Sequence, residues 1–346
     1  MININIEPLN SEAQDQARSR QNTLTKPPGS LGKLEELSIQ LAGIYKDPLH
    51  KIEKKMTIVA AGDHGVVNEG VSQYPQDVTA QMVLNFLSGG AAINTISGNS
   101  QSDIIVVDTG VISELPSHPQ LRSMRIASGT ENFARRSAMT VEQAETCINN
   151  GIELASELSL QNIDLVACGE MGIGNTTAAS AITAVICDQR AEYVTGRGTG
   201  INEESLNLKI NVIGKAIKLH NPNPTDGIDV LHKVGGFEIG FLAGVMLGCA
   251  SNNIAVLIDG FICTAAALIA STINPRSKEY MLGSHQSVEP GHVIALEHLD
   301  IEPLLNLNLR LGEGTGAALV MPIVEAAMKC LTDMATFGEA GVSDSS

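Results

Sequence analysis

The chain has 346 residues, and 22 Lys and Arg against 38 Asp and Glu give it a formal net charge of −16. Phosphate backbones and anionic lipid repel such a chain, because proteins that bind them carry clustered Lys and Arg, so nucleic acid and membrane surfaces are excluded as partners. Aromatic residues make up only 3% of a chain that is 43% hydrophobic, so the core has to be built from Ala, Val, Ile, Leu and Met.

Two helices are predicted near the N-terminus, at residues 11–20 and 31–45, with a Pro- and Gly-containing connection at 25–30. The residues before them, 1–7, have neither the basic nor the apolar region of a secretion signal. We therefore expect a cytoplasmic protein.

An alternating pattern of strands and helices follows. Four β-branched or aliphatic runs end in Gly or Asp, at residues 56–61, 104–107, 163–168 and 254–258. Helical patterns lie between and after them, at residues 78–96, 140–158, 176–187, 203–219, 236–249 and 261–271. Runs that are apolar throughout are typical of strands covered on both faces. The chain is therefore predicted to have an α/β fold, with a Rossmann-like parallel sheet, helices on both faces and ligands beyond the carboxyl ends of the strands.

The uncharged stretch 239–258 resembles a membrane span only in length. Residues 251–253 divide it into a helical half and a strand, and no lysines or aromatic belt flank it, so a buried helix, turn and strand are predicted. A strongly apolar helix is predicted at 317–332. We expect residues 1–49 and 311–346 to form a small helical subdomain, packed on a large α/β domain over residues 50–310.

The six cysteines are scattered, with no C-x-x-C pair and no Cys/His cluster at zinc spacing. They predict reduced and mostly buried thiols. The eight histidines are also dispersed, without an H-x-x-x-H pair. His64, in a long loop over residues 62–75, and His285 and His292, in a predicted polar loop over 283–292, are therefore interpreted as hydrogen-bonded loop residues rather than metal ligands.

The densest candidate site is the segment 169–177, GEMGIGNTT, between a predicted strand and a predicted helix. Three glycines and a helix start can form an anion cradle. A turn with glycines for close packing explains them about equally well, but Glu170 and the Asn-Thr-Thr cap favour a phosphate site. The spacing fits neither a dinucleotide fingerprint nor a P-loop, so NAD and ATP are disfavoured.

Two further glycine clusters remain. Residues 196–201, followed by Lys209, are either a second binding loop or a flexible loop before a helix. Residues 310–317 place Glu313 between glycines at the start of the last helix. A helix cap is the simpler explanation of Glu313, whereas a carboxylate on an exposed turn above the sheet would be well placed as a general base.

Seven segments, spread in order from about residue 20 to residue 316, point to one family. They are 21–32 (QNTLTKPPGSLG), 62–66 (GDHGV), 169–177, 196–200 (GRGTG), 235–239 (GGFEI), 259–262 (DGFI) and 309–316 (LRLGEGTG). Together they resemble the nicotinate-nucleotide:5,6-dimethylbenzimidazole phosphoribosyltransferase family of cobalamin synthesis.

This resemblance implies transfer of the phosphoribosyl group of nicotinate mononucleotide to dimethylbenzimidazole, giving α-ribazole 5′-phosphate and nicotinate. Glu313 matches the family's catalytic base, which would take the imidazole N–H proton while the other ring nitrogen attacks the anomeric carbon opposite nicotinate, with inversion. Glu170 matches the second glutamate of the family pattern, a supporting carboxylate.

The resemblance also implies a binding site, made of glycine loops and a few side chains. The phosphate and ribose would be held by Gly172, Gly174, Asn175, Thr176, Gly198, Thr199, Gly200, Lys209, Asp259, Ser287, Arg310 and Gly312. Within this set, Asp259 would contact ribose hydroxyls, and Lys209 would reach the site of the partner subunit in a homodimer. Tyr74, Gln81 and Met82 are expected to bind the base.

No cofactor or metal is predicted. Enzymes that use phosphoribosyl pyrophosphate usually carry two adjacent acids in a strand-end loop, whereas Asp108 stands alone here, and a mononucleotide has no pyrophosphate to neutralise. Two alternatives are a nucleotide-binding sensor without turnover and an oxidoreductase that uses NAD. The presence of both Glu313 and Glu170 disfavours the sensor.

Overall fold

Within residues 2–198 and 200–343, which the computed structural model describes, seven strands form one parallel sheet in the order β3-β2-β1-β4-β5-β6-β7. The strands are β1 Lys55–Gly62, β2 Asp103–Gly110, β3 Leu121–Ser123, β4 Leu165–Met171, β5 Ala255–Ile258, β6 Met281–His285 and β7 Pro303–Leu305. The chain runs outward from β1 to β3 and then returns to β4 on the other side of β1. Ligand sites of open α/β sheets lie at such reversals. The predicted α/β fold is confirmed.

Helices cover both faces of this sheet. In chain order they are α1 Ser11–Gln21, α2 Lys33–Tyr45, α3 Asp77–Leu87, α4 Ala92–Asn99, α5 Val141–Leu160, α6 Asn175–Ile186, α7 Ala191–Val194, α8 Glu203–His220, α9 Gly227–Val234, α10 Phe237–Ser251, α11 Phe261–Ile273, α12 Pro290–Leu299, α13 Thr315–Asp333 and α14 Phe337–Ala340. Two 3₁₀ helices span Gly65–Glu69 and Pro275–Tyr280. Side-chain caps stabilise the first turns of several helices. Thr140 and Gln143 form a capping box at α5, and Asn202 accepts from the Ser205 N–H at α8.

The core is aliphatic, and glycines let its layers approach closely. All residues of β1 and β5 are buried, which explains their continuous apolar runs. Helix α10 packs on α5 with almost no space between the backbones: a Cβ on Gly244 would lie 2.0 Å from the Ile148 carbonyl oxygen, and one on Gly151 would lie 2.1 Å from that of Phe241. Small residues therefore take the place of aromatic bulk.

Two predicted elements differ from the structure. The helix predicted over 78–96 is two helices, α3 and α4, because Gly89 takes a left-handed φ of +76° between them. The predicted polar loop over 283–292 is wrong at both ends, since β6 continues to His285 and α12 begins at Pro290. Ser284 is tolerated inside the sheet because its hydroxyl donates to the Ile258 carbonyl oxygen at 2.6 Å.

The two ends of the chain pack together. Helix α13 contacts α1 and α2, and it also lies against β4, β5 and β6. The predicted division into a helical subdomain and an α/β domain therefore stays a prediction. By length and composition α13 could cross a membrane, but 56% of its most apolar window is buried inside the chain, as in a core helix. The six cysteines are free, and four of them are buried.

Candidate active site

The two predicted catalytic glutamates are neighbours in space. Glu170 lies near the carboxyl end of β4, and Glu313 lies in the loop just before α13. The Glu313 N–H donates to the Glu170 carbonyl oxygen at 3.2 Å. A Cβ on Gly169 would lie 2.4 Å from the Glu313 carbonyl oxygen, and one on Gly312 would lie 2.3 Å from Glu170 Oε1. The glycines thus allow the loop to lie directly on the strand end.

Glu313 is buried, with only 5% of its surface exposed, which corrects the expectation of an exposed turn. The flanking glycines that were expected to leave it open instead bring it onto β4. Its φ of +63° is unusual for a non-glycine residue, and such strain is often found at functional sites. Its Oε2 has no hydrogen-bond partner among the described residues. Burial raises the pKa of Glu313, partly offset by the backbone N–H of Ile93.

Glu170 is equally buried, and the Asn175 side-chain amide donates to its Oε2. Burial raises the pKa of Glu170 to about 8, and the negative charges of Asp259, Glu238 and Glu313 also raise it. Near neutral pH this carboxyl group therefore carries a proton and can donate a hydrogen bond.

Asp259, which follows β5, holds the beginning of α13. Its carboxylate accepts the backbone N–H groups of Gly314 at 3.1 Å, Gly316 at 2.7 Å and Ala317 at 3.1 Å. Burial raises the pKa of Asp259 to about 7, although these three N–H groups act in the opposite direction. Asp259 therefore fixes the turn that carries Glu313. Its contact with ribose hydroxyls stays a prediction.

The two glycine loops and Lys209 line one small cavity. Six of the residues predicted to bind phosphate or ribose are among its lining: Gly172, Gly174, Asn175, Thr176, Gly198 and Lys209. Gly174 has a φ of +95° and is the residue before α6, so backbone N–H groups at the start of that helix border the cavity. This arrangement can bind an anion such as a phosphate.

Lys209 makes its hydrogen bonds within its own chain. Its ammonium donates to Thr176 Oγ1 at 2.8 Å and to the Gly196 carbonyl oxygen at 3.4 Å, both in its own chain. Since α8 packs against α6, the side chain is 1% exposed within this chain, and its reach into a partner's site stays a prediction. Burial lowers the pKa of Lys209 to about 8.

The remaining predicted residues lie around this centre. Ser287 is buried, and its N–H donates to His292 Nδ1 at 2.9 Å, whereas Arg310 is exposed. Gly200 has a φ of +115°, and Thr199 lies outside the described residues. Gly312 lies beside Glu170, as described above.

The segment expected to bind the base runs into α3. Tyr74 and Gln81 are exposed and Met82 is half-buried. Thr79, between them, accepts the Ile173 N–H at 3.1 Å, which ties this segment to the 172–174 loop. Base binding by Tyr74, Gln81 and Met82 stays a prediction.

Some residues at the site were not predicted from the sequence. His64 Nε2 bonds Glu238 Oε1 at 2.7 Å, and both side chains are fully buried beside the loop of Gly172. The interpretation of His64 as a hydrogen-bonded residue is confirmed. Both residues belong to segments of the family pattern, GDHGV and GGFEI, which is the signal that could have found them. Among the described residues, no group of three His, Cys, Asp or Glu side chains could hold a metal ion.

Known proteins match this chain over nearly its whole length. A family model described as Phosphoribosyltransferase matches residues 6–342. The nicotinate-nucleotide–dimethylbenzimidazole phosphoribosyltransferase of Chloroflexus aggregans is 54% identical over 339 residues, covering 98% of this chain and 96% of the relative. Its namesake from a Roseiflexus species is 52% identical over 338 residues, covering 98% and 96%.

Two solved structures are also similar to this chain in fold and in sequence. The crystal structure of the enzyme of the same name from Thermus thermophilus has a TM-score of 0.92 at 44% identity, covering 97% of this chain and 100% of that chain. A structure of CobT from that organism has a TM-score of 0.92 at 45% identity, covering 96% and 99%. Since the family model and these relatives extend over almost every residue, the chain belongs to the nicotinate-nucleotide–dimethylbenzimidazole phosphoribosyltransferase family and is a transferase of phosphoribosyl groups.

Proposed function

We propose that the protein transfers the phosphoribosyl group of nicotinate mononucleotide to 5,6-dimethylbenzimidazole, giving α-ribazole 5′-phosphate and nicotinate, in cobalamin biosynthesis. The observation that carries this proposal is the contact between the Glu313 and Glu170 segments, beside a glycine-lined anion cavity. The names of the relatives support the choice of substrates.

The chemical step is a displacement at the anomeric carbon. One ring nitrogen of the benzimidazole forms the new C–N bond from the face opposite nicotinate, and the bond to nicotinate breaks with its electron pair going to the pyridine nitrogen. The proton on the other benzimidazole nitrogen goes to the Glu313 carboxylate. The burial of Glu313 supports this role, as does the lack of a hydrogen-bond partner for its Oε2 among the described residues. Burial raises the pKa, which brings the carboxylate closer to the strength that a base needs near neutral pH.

Other residues bind and orient the substrates. The start of α6 and the ammonium of Lys209 hold the 5′-phosphate, with Ser287 and Arg310 at the edge, and Asp259 contacts the ribose. Protonated Glu170 donates a hydrogen bond to the ribose or the base. Tyr74, Gln81 and Met82 form the slot for the benzimidazole. A homodimer and a cytoplasmic location complete the proposal, both supported by the family resemblance.

Incubation of the purified protein with both substrates tests this function. We expect chromatography to show equal amounts of nicotinate and α-ribazole 5′-phosphate, with the α configuration visible in the anomeric proton coupling. Binding of the mononucleotide without release of nicotinate would instead indicate a sensor, and a β product would contradict inversion.

A further inference from the structure

We propose that Glu289 is a positioning residue for the nucleotide phosphate. It anchors the glycine loop at residues 196–198 from behind and acts as the counter-ion of Lys209. The inference rests on the proposed function, since it concerns the phosphate of that substrate. Glu289 is the residue before α12 and is 8% exposed. It is not one of the side chains that line the anion cavity.

The first observation is the contact of Glu289 with the loop. Its Oε1 accepts the Gly198 N–H at 3.0 Å. A Cβ on Gly196 would lie 1.9 Å from its Oε2, so a larger residue there would displace the carboxylate. The loop that borders the cavity therefore rests on this side chain.

The second observation links Glu289 to Lys209 through Gly196. The Gly196 carbonyl oxygen accepts from the Lys209 ammonium at 3.4 Å, and the α-carbon of the same residue faces Glu289. Among the described residues, Oε2 of Glu289 is buried without a hydrogen-bond partner. A buried carboxylate without such a partner destabilises the fold unless a cation lies nearby. Lys209 fits this role, because the negative charge of Glu289 raises its pKa.

Few other charges face Lys209. Helix α6, which packs on α8, has no titratable side chain. Arg197 in the glycine loop is paired with Glu203 of α8, and Glu192 of α7 is paired with Arg190. In α9, Asp229 pairs with Lys233 and His232 lies nearby, and Glu69 of the first 3₁₀ helix acts on Lys215 of α8.

The pH dependence follows from these positions. Burial lowers the pKa of Lys209 to about 8, and the negative charge of Glu289 raises it in part. Removing that charge lowers the pKa further, so Lys209 loses its proton, and its attraction for phosphate, at a lower pH. Mononucleotide binding therefore weakens at high pH, and it does so earlier without Glu289.

The test compares Glu289→Gln with Glu192→Gln, which removes one acidic charge at an exposed site. Gln can still accept the Gly198 N–H, so the substitution isolates the charge. We expect calorimetry to show that the Kd of Glu289→Gln for nicotinate mononucleotide is within about twofold of wild type at pH 6.5 and roughly five- to tenfold higher at pH 8.5. Glu192→Gln should follow the wild type at both values.

Glu289→Asp, which keeps the charge but shortens the side chain, provides the second variant. It should keep the wild-type pH profile while binding more weakly at every pH. A Glu289→Gln profile parallel to that of the wild type, or failure of the wild type to bind the mononucleotide, overturns the inference. Because binding is measured without the base, absence of turnover alone counts against the proposed function and not against the role of Glu289.

Discussion

Glu313 is held in its buried position by residues that are distant from it in sequence. The GEG segment and the family pattern point to this position, but its burial comes from contacts with Gly169 and with the start of α4, which are distant in sequence. The same holds for Lys209, whose contact with Thr176 of its own chain no local pattern around residue 209 predicts. Sequence spacing predicts which residues follow a strand, but it does not predict which distant loop lies on top of them.

Replacing Glu313 with Gln keeps the shape of the side chain and removes the base. We expect kcat to fall by about 100-fold or more, because general-base catalysis contributes on that scale, while the Kd of nicotinate mononucleotide stays nearly unchanged. Initial rates of nicotinate release and calorimetry measure the two quantities. Exposed Glu302, replaced in the same way, is the control. Rates equal to wild type would limit Glu313 to a role in starting α13.

Asp259→Asn tests whether this carboxylate stabilises the turn at the start of α13 or serves only to contact the ribose. Asn has one acceptor oxygen and an N–H₂ group, so one or more of the three N–H groups of residues 314–317 would lose its acceptor. We expect the free energy of unfolding to fall by about 1–3 kcal/mol and kcat to fall with it. Urea denaturation and initial rates measure both. An unchanged stability with only a raised KM would indicate a ribose contact alone.

At the scale of elements, the centre of the sheet could be predicted and its edges could not. Strands β1, β2, β4 and β5 are aliphatic runs that their own composition identifies. Strands β3 and β7 have three residues each, and β6 contains Gly283, Ser284 and His285, whose polar groups are satisfied by neighbours. These strands are stabilised by pairing with the neighbouring strands rather than by their own composition, so a local sequence pattern does not predict them.

Two helical glycines, one packed between α5 and α10 and one exposed in α8, should respond in opposite ways to replacement by alanine. Gly244→Ala would place a methyl group 2.0 Å from the Ile148 carbonyl oxygen, so the helices must separate, with an expected loss of about 1–3 kcal/mol. Gly214→Ala, in exposed α8 with open space around it, should gain about 0.5–1 kcal/mol from helix propensity. Thermal denaturation of both variants measures the difference. Equal effects would contradict the close packing.

For the whole molecule, the net charge of −16 contrasts with the anionic substrate that we propose. The cavity combines backbone N–H groups, a helix start and the buried Lys209. Asn175 of its lining also contacts Glu170, one of three buried acids with a raised pKa. A net negative charge disfavours long polyanions as partners, whereas a single phosphate needs only this local arrangement.

The buried acids predict how stability depends on pH. Burial raises the pKa of Glu170 from 4.5 to about 8 and that of Asp259 from 3.8 to about 7. Between the ordinary and the raised pKa of each acid, the folded chain therefore binds more protons than the unfolded chain. The free energy of unfolding should therefore fall as pH rises from about 6.5 to 8. Below that window, His285 and His292, whose pKa values are lowered by burial, act in the opposite direction.

Melting temperatures across that window provide the measurement. Glu170→Gln should flatten the decrease, because the amide does not titrate, whereas Glu302→Gln should keep it. A wild-type melting temperature that rises steadily from pH 6.5 to 8 would show that these acids ionise at their ordinary pKa values in the folded chain.

Helix α13 joins the reactive turn to the N-terminal helices. Asp259 holds its first residues, and at its other end Arg20 of α1 donates to the carbonyl oxygens of Leu331 at 2.7 Å and Thr332 at 3.2 Å. A helix of 19 residues is about 28 Å long, so a tilt of only a few degrees about the Arg20 end would displace Glu313 by about 1 Å or more. Displacements of that size can cost about a hundredfold in rate. Under the proposed mechanism, residues at the far end of α13 therefore share control of the geometry of proton transfer without touching the substrate.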